Sequence, residues 1–336
     1  MRAGIVGYGL AGRFFHAPNL VGAGFEVSAI CARSLAKRGE AHADFPNAVI
    51  VNSMDELVAE ELDLIVVAST NDVHVEHARA ALAAGIPVVV DKPLGRNYNE
   101  SVELFDYAEM VGGKVSVFFN RLWDSDTLTI KRAMSTGELG TIFRHESRFE
   151  RYRPELNPMA WREKIDESSG GGLLLDLQTH LISIALHLFG PGELLHSSIK
   201  SIRGAADDDC VLTIAHQSGV DSYLMASAVT GLPGPRIRLH GLKGTLEVHE
   251  LDRQEALLRK GYRPKNGAWS EPATVSSEVR ITAGDRSYSY PSAPGNYSQF
   301  YVEVRNALLS GGEMPISREF ALDVARIIDQ AKLLSR

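Results

Sequence analysis

The 336-residue chain predicts an α/β fold in two parts: a dinucleotide-binding Rossmann domain, a doubly wound parallel sheet, over residues 1–120, and an open, mostly antiparallel sheet with helices on one face over residues 121–336. Three observations carry this. Apolar runs alternate with helical patterns through the first third, a glycine-rich turn follows the first run, and after Asn120 the runs change to polar–apolar alternation. A chain of this length also exceeds most single hydrophobic cores, so two domains are expected.

The elements follow in order. "RAGIVG" reads as the first strand and "LAGRFFHAPNLVG" as the first helix; "FEVSAICAR" and "SLAKRGEAHADF" repeat the pair. The alternation continues through "NAVIV", "SMDELVAEE", "LDLIVVAST", "HVEHARAALAAG", "PVVVDKP", "NESVELFDYAEMVG" and "KVSVFFN". Unbroken Val, Ile and Leu runs separated by helices are what strands buried on both faces of a parallel sheet require. Beyond them a helix, "DTLTIKRAMSTGELG", precedes "IFRHESRFERYR", "LLHSSIKSIRG", "CVLTIAHQ", "VDSYLMASAV", "RIRLHGLKGTLEVH" and "EVRITAGDRSYSYP". Their period of two predicts an antiparallel sheet with one buried face. Helical stretches "QFYVEVRNALLSGG" and "REFALDVARIIDQAKLLS" close the chain. A sheet covered on one face leaves the other for a partner, so a homodimer or homotetramer through this sheet is expected.

A net charge of −7, 44% apolar and 23% charged residues describe an ordinary globular protein. Without a basic stripe, neither nucleic acid nor an anionic membrane surface is expected as a partner. No apolar run approaches the ~18 residues of a membrane span, and the N-terminus has no signal-peptide pattern. Cys31 and Cys210 lie far apart in strand-like runs, so they read as buried free thiols. A cytoplasmic protein handling small molecules is expected.

"GYGLAG" at 7–12 places Gly7, Gly9 and Gly12 in the G-x-G-x-x-G spacing between a strand and a helix. In that setting Gly7 makes the tight turn, Gly9 lets backbone approach a pyrophosphate, and Gly12 lets the helix pack against the strand. Leu10 sits within the same loop, and the helix start offers N–H groups to phosphates. About twenty residues on, an NAD site usually carries an acid for the ribose. Here Arg33 and Ser34 stand instead, suited to a 2′-phosphate. NADP(H) is therefore expected ahead of NAD(H).

"VVVDKPLG" puts Lys92 at the carboxyl end of the fifth strand, where open sheets form their ligand crevice. In "SSGGGLLLDLQTHLISIALHLFG", Asp176 and His180 are one helical turn apart and share a face. A carboxylate that orients an imidazole suits general acid–base work. The same pair could ligate a metal, but a third ligand at recognisable spacing is lacking, so no metal is expected. His16, close behind the glycine loop, is left unassigned; His77, His187, His240 and His249 read as packing or surface residues.

These motifs are similar to those of the Gfo/Idh/MocA family of sugar and polyol oxidoreductases, and the resemblance covers essentially the whole chain. It rests on "GYGLAG" at 7–12, "STNDVHVEHARAALAAGIPVVVDKPL" at 69–94 and "GGGLLLDLQTH" at 170–180. Within the family the chain resembles the NADP(H)-dependent scyllo-inositol dehydrogenase branch through "FFHAPNL", "NRLWDSDTLTIK" and "RYRPELNPMAWREK". The resemblance implies that Lys92 meets the reacting hydroxyl, that Asp176 and His180 complete the catalytic set, and that Ser69, Thr70, Asn71 and His74 form the loop on the nicotinamide side. Asn120, Tyr152, Trp161 and Arg162 are the candidate substrate contacts.

Departures from the family pattern are Asp91 for a usual Glu, Asn71 for a common proline, and Gln178, Ser183 and Phe119 near the site; the last three are expected to bear on the substrate. The activity implied is hydride transfer between nicotinamide and a hydroxyl or carbonyl carbon of an inositol, polyol or sugar. Alternatives on the same scaffold are an NAD-dependent glycosidase using transient oxidation and a non-catalytic dinucleotide- and sugar-sensing regulator. Retention of Lys92, Asp176 and His180 together speaks against the regulator.

Overall fold

Residues Ala3 to Val6 are buried on both faces of the strand they form, and this places β1 (Arg2–Val6) at the centre of the first sheet. The computed structural model describes residues 1–157, 170–204 and 206–335. After β1 come a π-helical turn (Ala11–His16) running into α1 (Ala17–Gly22), β2 (Glu26–Cys31), α2 (Leu35–Asp44), β3 (Val49–Val51) and α3 (Met54–Val58). β4 (Leu64–Val67), α4 (His74–Ala83), β5 (Val88–Asp91), α5 (Tyr98–Met110) and β6 (Val115–Phe118) follow. The strand order is β3-β2-β1-β4-β5-β6, with every pairing parallel. The chain reverses its direction of winding between β1 and β4, and that switch point is where such sheets open a ligand crevice.

Local chemistry starts several of these helices. Ser34, Ser53 and Asn97 each accept a hydrogen bond from a backbone N–H three residues on, capping α2, α3 and α5. Val88, Val89 and Val90 are fully buried, as a central parallel strand requires, and they deliver Asp91 and Lys92 to the crevice edge.

The later elements are α6 (Ser125–Ser135), β7 (Ile142–Glu150), a π-helical turn (Leu174–Gln178) leading into α7 (Thr179–Phe189), β8 (Gly192–Lys200), β9 (Asp209–His216) and β10 (Asp221–Ser227). Then come β11 (Ile237–Gly241), β12 (Gly244–Val248), α8 (Gln254–Arg259), β13 (Val279–Ala283), β14 (Arg286–Ser289), α9 (Ser298–Ser310) and α10 (Arg318–Leu334). The runs at 236–249 and 279–290 fold as hairpins, because Leu242–Lys243 and Gly284–Asp285 turn the chain. The eight strands lie in the order β14-β13-β12-β11-β7-β10-β9-β8; β7 and β10 pair parallel and the other pairs are antiparallel.

Alternation decides the faces of this second sheet. In β9, Cys210, Leu212 and Ile214 are fully buried under helices, while Asp209, Val211 and Thr213 point to the other side. Cys31 and Cys210 are both buried and outside any disulfide, as the sequence predicts, and the Cys210 thiol donates to Asp207 Oδ2 at 3.2 Å. α9 lies beyond residue 120 yet packs on the first sheet: the ring centroids of Phe300 and Tyr301 stand 5.0 Å and 5.4 Å from that of Phe118. One hydrophobic core therefore runs through both sheets, and the helix carrying Asp176 is pressed against the crevice edge of the first.

Candidate active site

The glycine loop is shaped by three different constraints. Gly7 leaves β1 at φ +94°, and a Cβ there would overlap the Ala68 carbonyl at the end of β4. A Cβ on Gly12 would overlap the Gly7 carbonyl oxygen, so the helix could not approach the strand. Gly9 faces open space. That combination leaves backbone N–H groups accessible at a helix start and fits a dinucleotide pyrophosphate. Leu10 is half exposed beside it, and Thr70 is exposed at the end of β4.

Arg33 and Ser34 are exposed just past β2. Among the described residues Arg33 has no carboxylate within ion-pair distance, whereas Lys37 is held by Glu40 at 2.8 Å. The Ser34 hydroxyl accepts from Lys37 N at 3.3 Å. Among the described residues Arg33 and Arg38 are thus the two cations at this edge without an ion pair, and Arg33 is the one next to Ser34.

Lys92 is only 8% exposed. Its Nζ donates to the Asp176 carbonyl at 2.6 Å and to Asp176 Oδ1 at 2.8 Å. This corrects the expected partnership of Asp176 with His180: the carboxylate serves Lys92, while His180 Nδ1 is buried without a hydrogen-bond partner. A buried ammonium demands a counter-charge, and a neutral imidazole does not. Asp207 shapes the start of this segment, accepting from Leu174 N at 2.7 Å, with Gly172 at φ +84° passing directly against its carboxylate.

Burial, and then the positive fields of Lys92, Arg121 and Arg236, hold the His180 imidazole well below the usual histidine range. The two arginines stack on Phe149 with Cζ atoms 4.9 Å and 4.5 Å from its ring centroid, and the Phe149 ring meets His180 at 6.2 Å. Asp124 anchors both, at 3.2 Å from Arg121 and 3.3 Å from Arg236, and accepts from the Tyr297 hydroxyl at 2.7 Å. Sequence reasoning missed this cluster. Arg121 lies inside a quoted motif, but Arg236 comes from the distant start of β11 and carries no local signal.

Other candidate residues take different positions from those expected. Asn71 is buried and donates to the Gly170 carbonyl at 3.0 Å, tying the β4 loop to the glycine turn before Asp176. His74 is 1% exposed, with its ring nitrogens 2.8 Å from the Pro93 carbonyl and 3.1 Å from the Ser69 carbonyl. It braces the loop instead of facing the crevice. The Ser69 hydroxyl is 3.0 Å from His77 Nδ1.

Gln178 donates to the carbonyls of Cys210 and Leu224, so it faces the second sheet. Ser183 donates to the His180 carbonyl within the helix, and Phe119 is buried against Phe320. None of the three is turned toward the Lys92–Asp176 pair, because each satisfies the interior instead. Asn120 is buried immediately after β6, at the same sheet edge as Lys92, and Tyr152 is 64% exposed. Trp161 and Arg162 lie outside the described residues. Among the described residues, no group of three His, Cys, Asp or Glu side chains is placed to hold a metal, and no helix is long and apolar enough to cross a membrane.

Comparison with known proteins follows the same division. Residues 1–119 match the oxidoreductase family with an NAD-binding Rossmann fold, and residues 127–247 match the GFO/IDH/MocA C-terminal domain. The scyllo-inositol 2-dehydrogenase (NADP(+)) IolW of Bacillus subtilis is 32% identical over 98% of this chain and 92% of its own length. The chain belongs to the Gfo/Idh/MocA family. Another family relative, the uncharacterized oxidoreductase YdgJ of Escherichia coli, is 33% identical over 98% of this chain and 94% of its own. Among solved structures, a Yersinia pestis protein described as an oxidoreductase, YPO2259, superposes with TM-score 0.88 at 32% identity, covering 100% of this chain and 95% of that one. The chain is accordingly an NAD(P)-dependent oxidoreductase of the Gfo/Idh/MocA family.

Proposed function

We propose that this protein is an NADP(H)-dependent dehydrogenase or reductase acting on an inositol, polyol or sugar. The observation that carries the reading is the meeting of Lys92, Asp176 and a neutral His180 at the carboxyl edge of β5, beside the glycine loop. Relatives named for scyllo-inositol, D-apiose and D-xylose dehydrogenation support the substrate class. The free Arg33 beside Ser34 supports NADP(H) over NAD(H), since a guanidinium fork matches a phosphate.

When bound, the nicotinamide supplies hydride transfer to or from the carbinol or carbonyl carbon. Gly7, Gly9, Leu10 and Gly12 cradle the pyrophosphate, and Arg33 with Ser34 holds the 2′-phosphate. His180, neutral at pH 7, takes the hydroxyl proton during oxidation and returns it during reduction. Lys92 hydrogen-bonds the same substrate oxygen and stabilises its developing negative charge. Asp176 holds that ammonium in place and balances it. Asn120 and Tyr152 line the sugar side, and Trp161 and Arg162 are the further candidate substrate contacts.

The reading extends to organisation. Residues 1–120 form the dinucleotide domain and 121–336 the substrate domain. A second copy covers the open sheet face, where Arg148 pairs with Glu146 at 2.9 Å and Arg238 with Glu247 at 2.7 Å while Tyr223 is exposed. Two cysteines outside any disulfide fit the reducing cytoplasm. The decisive experiment is a spectrophotometric screen of inositols, aldoses and anhydro-sugars with both cofactors. Net NADP(H) turnover with a polyol or sugar supports the reading; hydrolysis of a glycoside without net cofactor turnover overturns it.

A further inference from the structure

His16 ends the π-helical turn behind the glycine loop, and the mechanism above does not use it. It is completely buried, with a ring centroid 4.6 Å from that of Phe118. Were packing its whole purpose, an apolar side chain would serve better, since a buried imidazole carries two polar atoms that need partners. Both nitrogens have polar neighbours from remote parts of the chain. Nδ1 lies 2.5 Å from the Tyr301 hydroxyl on α9, whereas Nε2 has no hydrogen-bond partner and faces Asp91 Oδ1 at the end of β5 across 3.6 Å, an electrostatic contact longer than a hydrogen bond.

The direction of the first contact follows from the phenol. Burial and the nearby charge of Asp91 push the Tyr301 hydroxyl well above its usual range, so it keeps its proton. Among the described residues the acceptor within reach of that proton is His16 Nδ1. Nε2 is then the protonated nitrogen, and it is the one turned toward Asp91. Asp91 immediately precedes Lys92 and pairs with Phe118 in the β5–β6 ladder.

We propose that His16 is a positioning residue: its Nε2–H faces the Asp91 carboxylate at 3.6 Å and, through that buried electrostatic contact, keeps the Asp91–Lys92 corner in register with the glycine loop that receives the cofactor phosphates. The chain Tyr301–His16–Asp91 thus joins α9, the phosphate-binding helix and the strand end bearing Lys92. Burial raises the Asp91 carboxyl, but His16, together with Lys92 and His74, outweighs it and keeps the group ionised, which the contact requires. The inference rests on the role proposed for Lys92, while the tautomer it demands does not.

The test compares His16→Phe, which keeps a ring without nitrogens, with His16→Gln, whose amide N–H can reach the Nε2 position, and with Tyr301→Phe. Turnover, NADP(H) affinity by fluorescence titration and melting temperature are measured for each, and ¹⁵N NMR reads the His16 tautomer in the substrate-free protein. We expect a bare Nδ1 and protonated Nε2 in the unaltered chain, and in Tyr301→Phe the same tautomer with the Nδ1 resonance shifted by loss of its hydrogen bond. His16→Phe lowers kcat roughly tenfold, as loss of a buried electrostatic contact would, with NADP(H) affinity within about threefold, and His16→Gln regains most of the loss.

Equal damage in His16→Gln and His16→Phe, unchanged turnover in His16→Phe, or protonation at Nδ1 alone would overturn the proposal. If His16→Phe does not fold, Tyr301→Phe decides: an Nδ1 resonance unmoved by loss of the phenol overturns the chain of contacts. Lys92→Ala is assayed alongside. Full activity there sinks the reading of Lys92, and the NMR result still judges the Tyr301–His16–Asp91 contacts on their own.

Discussion

Asp176→Asn asks which neighbour the carboxylate serves. Lys92 Nζ has two acceptors on Asp176, the carbonyl at 2.6 Å and Oδ1 at 2.8 Å. The side chains are 10% and 31% exposed, so the pair lies between a buried and a surface ion pair. A hydrogen bond to a charged group contributes about 1.5–3 kcal/mol, whereas an exposed pair contributes below about 1 kcal/mol. Burial of Lys92 argues for the upper regime; the exposure of Asp176 and the carbonyl bond that survives substitution argue for its lower end.

A double-mutant cycle of Asp176→Asn with Lys92→Ala should therefore show a coupling of about 1.5 kcal/mol in urea unfolding. The matching cycle with His180→Ala should show less than about 0.5 kcal/mol, since a neutral ring offers the carboxylate no charge. The slope of free energy against urea must stay constant for the comparison to hold. Asp176→Asn alone should lower turnover about tenfold, the rate equivalent of that coupling. A coupling to His180 larger than that to Lys92 would refute the reasoning.

Four further outcomes are expected. His180→Ala should lower turnover by roughly 10²–10⁴-fold while NADP(H) affinity, read by fluorescence, barely changes; near-normal turnover would remove His180 from the mechanism. Arg33→Asp should weaken NADP(H) by about 1.5–3 kcal/mol in titration and leave NAD(H) nearly untouched, and equal binding of both cofactors by the unaltered protein would contradict the role of Arg33. The pH profile of kcat/KM for oxidation should stay flat through the ordinary histidine value near about 6.5: the base must be neutral, and the lowered pKa of His180 delays its protonation to more acidic pH, so an acid limb at that value would count against it. Gly172→Ala places a Cβ on the Asp207 carboxylate at φ +84°, which should cost about 2–4 kcal/mol from left-handed strain plus the lost cap and lower the melting temperature; an unchanged melting curve would show that the turn before Asp176 is not held as described.

What the sequence made legible was set by the range of the forces involved. Val88–Val90 announce a strand buried on both faces, so the position of Lys92 at its carboxyl end follows from local pattern alone. The glycine spacing is likewise local, because each glycine answers to backbone within one turn or one neighbouring strand. Partner choice is not local. The four-residue spacing of Asp176 and His180 correctly puts both near the crevice, yet the carboxylate turns to an ammonium brought in by β5, and nothing in a helical period encodes that competitor. Asn71 and His74 show the same limit: their motif marks the loop, but their hydrogen bonds to the carbonyls of Gly170, Ser69 and Pro93 are set by the tertiary fold.

Arg236 reaches the site because β11 pairs with β7, a contact across 87 residues between Arg148 and the loop before β11. Its consequence is chemical. Burial first, and then the charges of Lys92, Arg121 and Arg236, lower the His180 pKa, while Lys92 takes the Asp176 carboxylate, so in the proposed mechanism proton acceptance and charge balance fall to separate residues. A carboxylate bound to His180 would instead favour the imidazolium and make the group a weaker proton acceptor for alcohol oxidation at neutral pH.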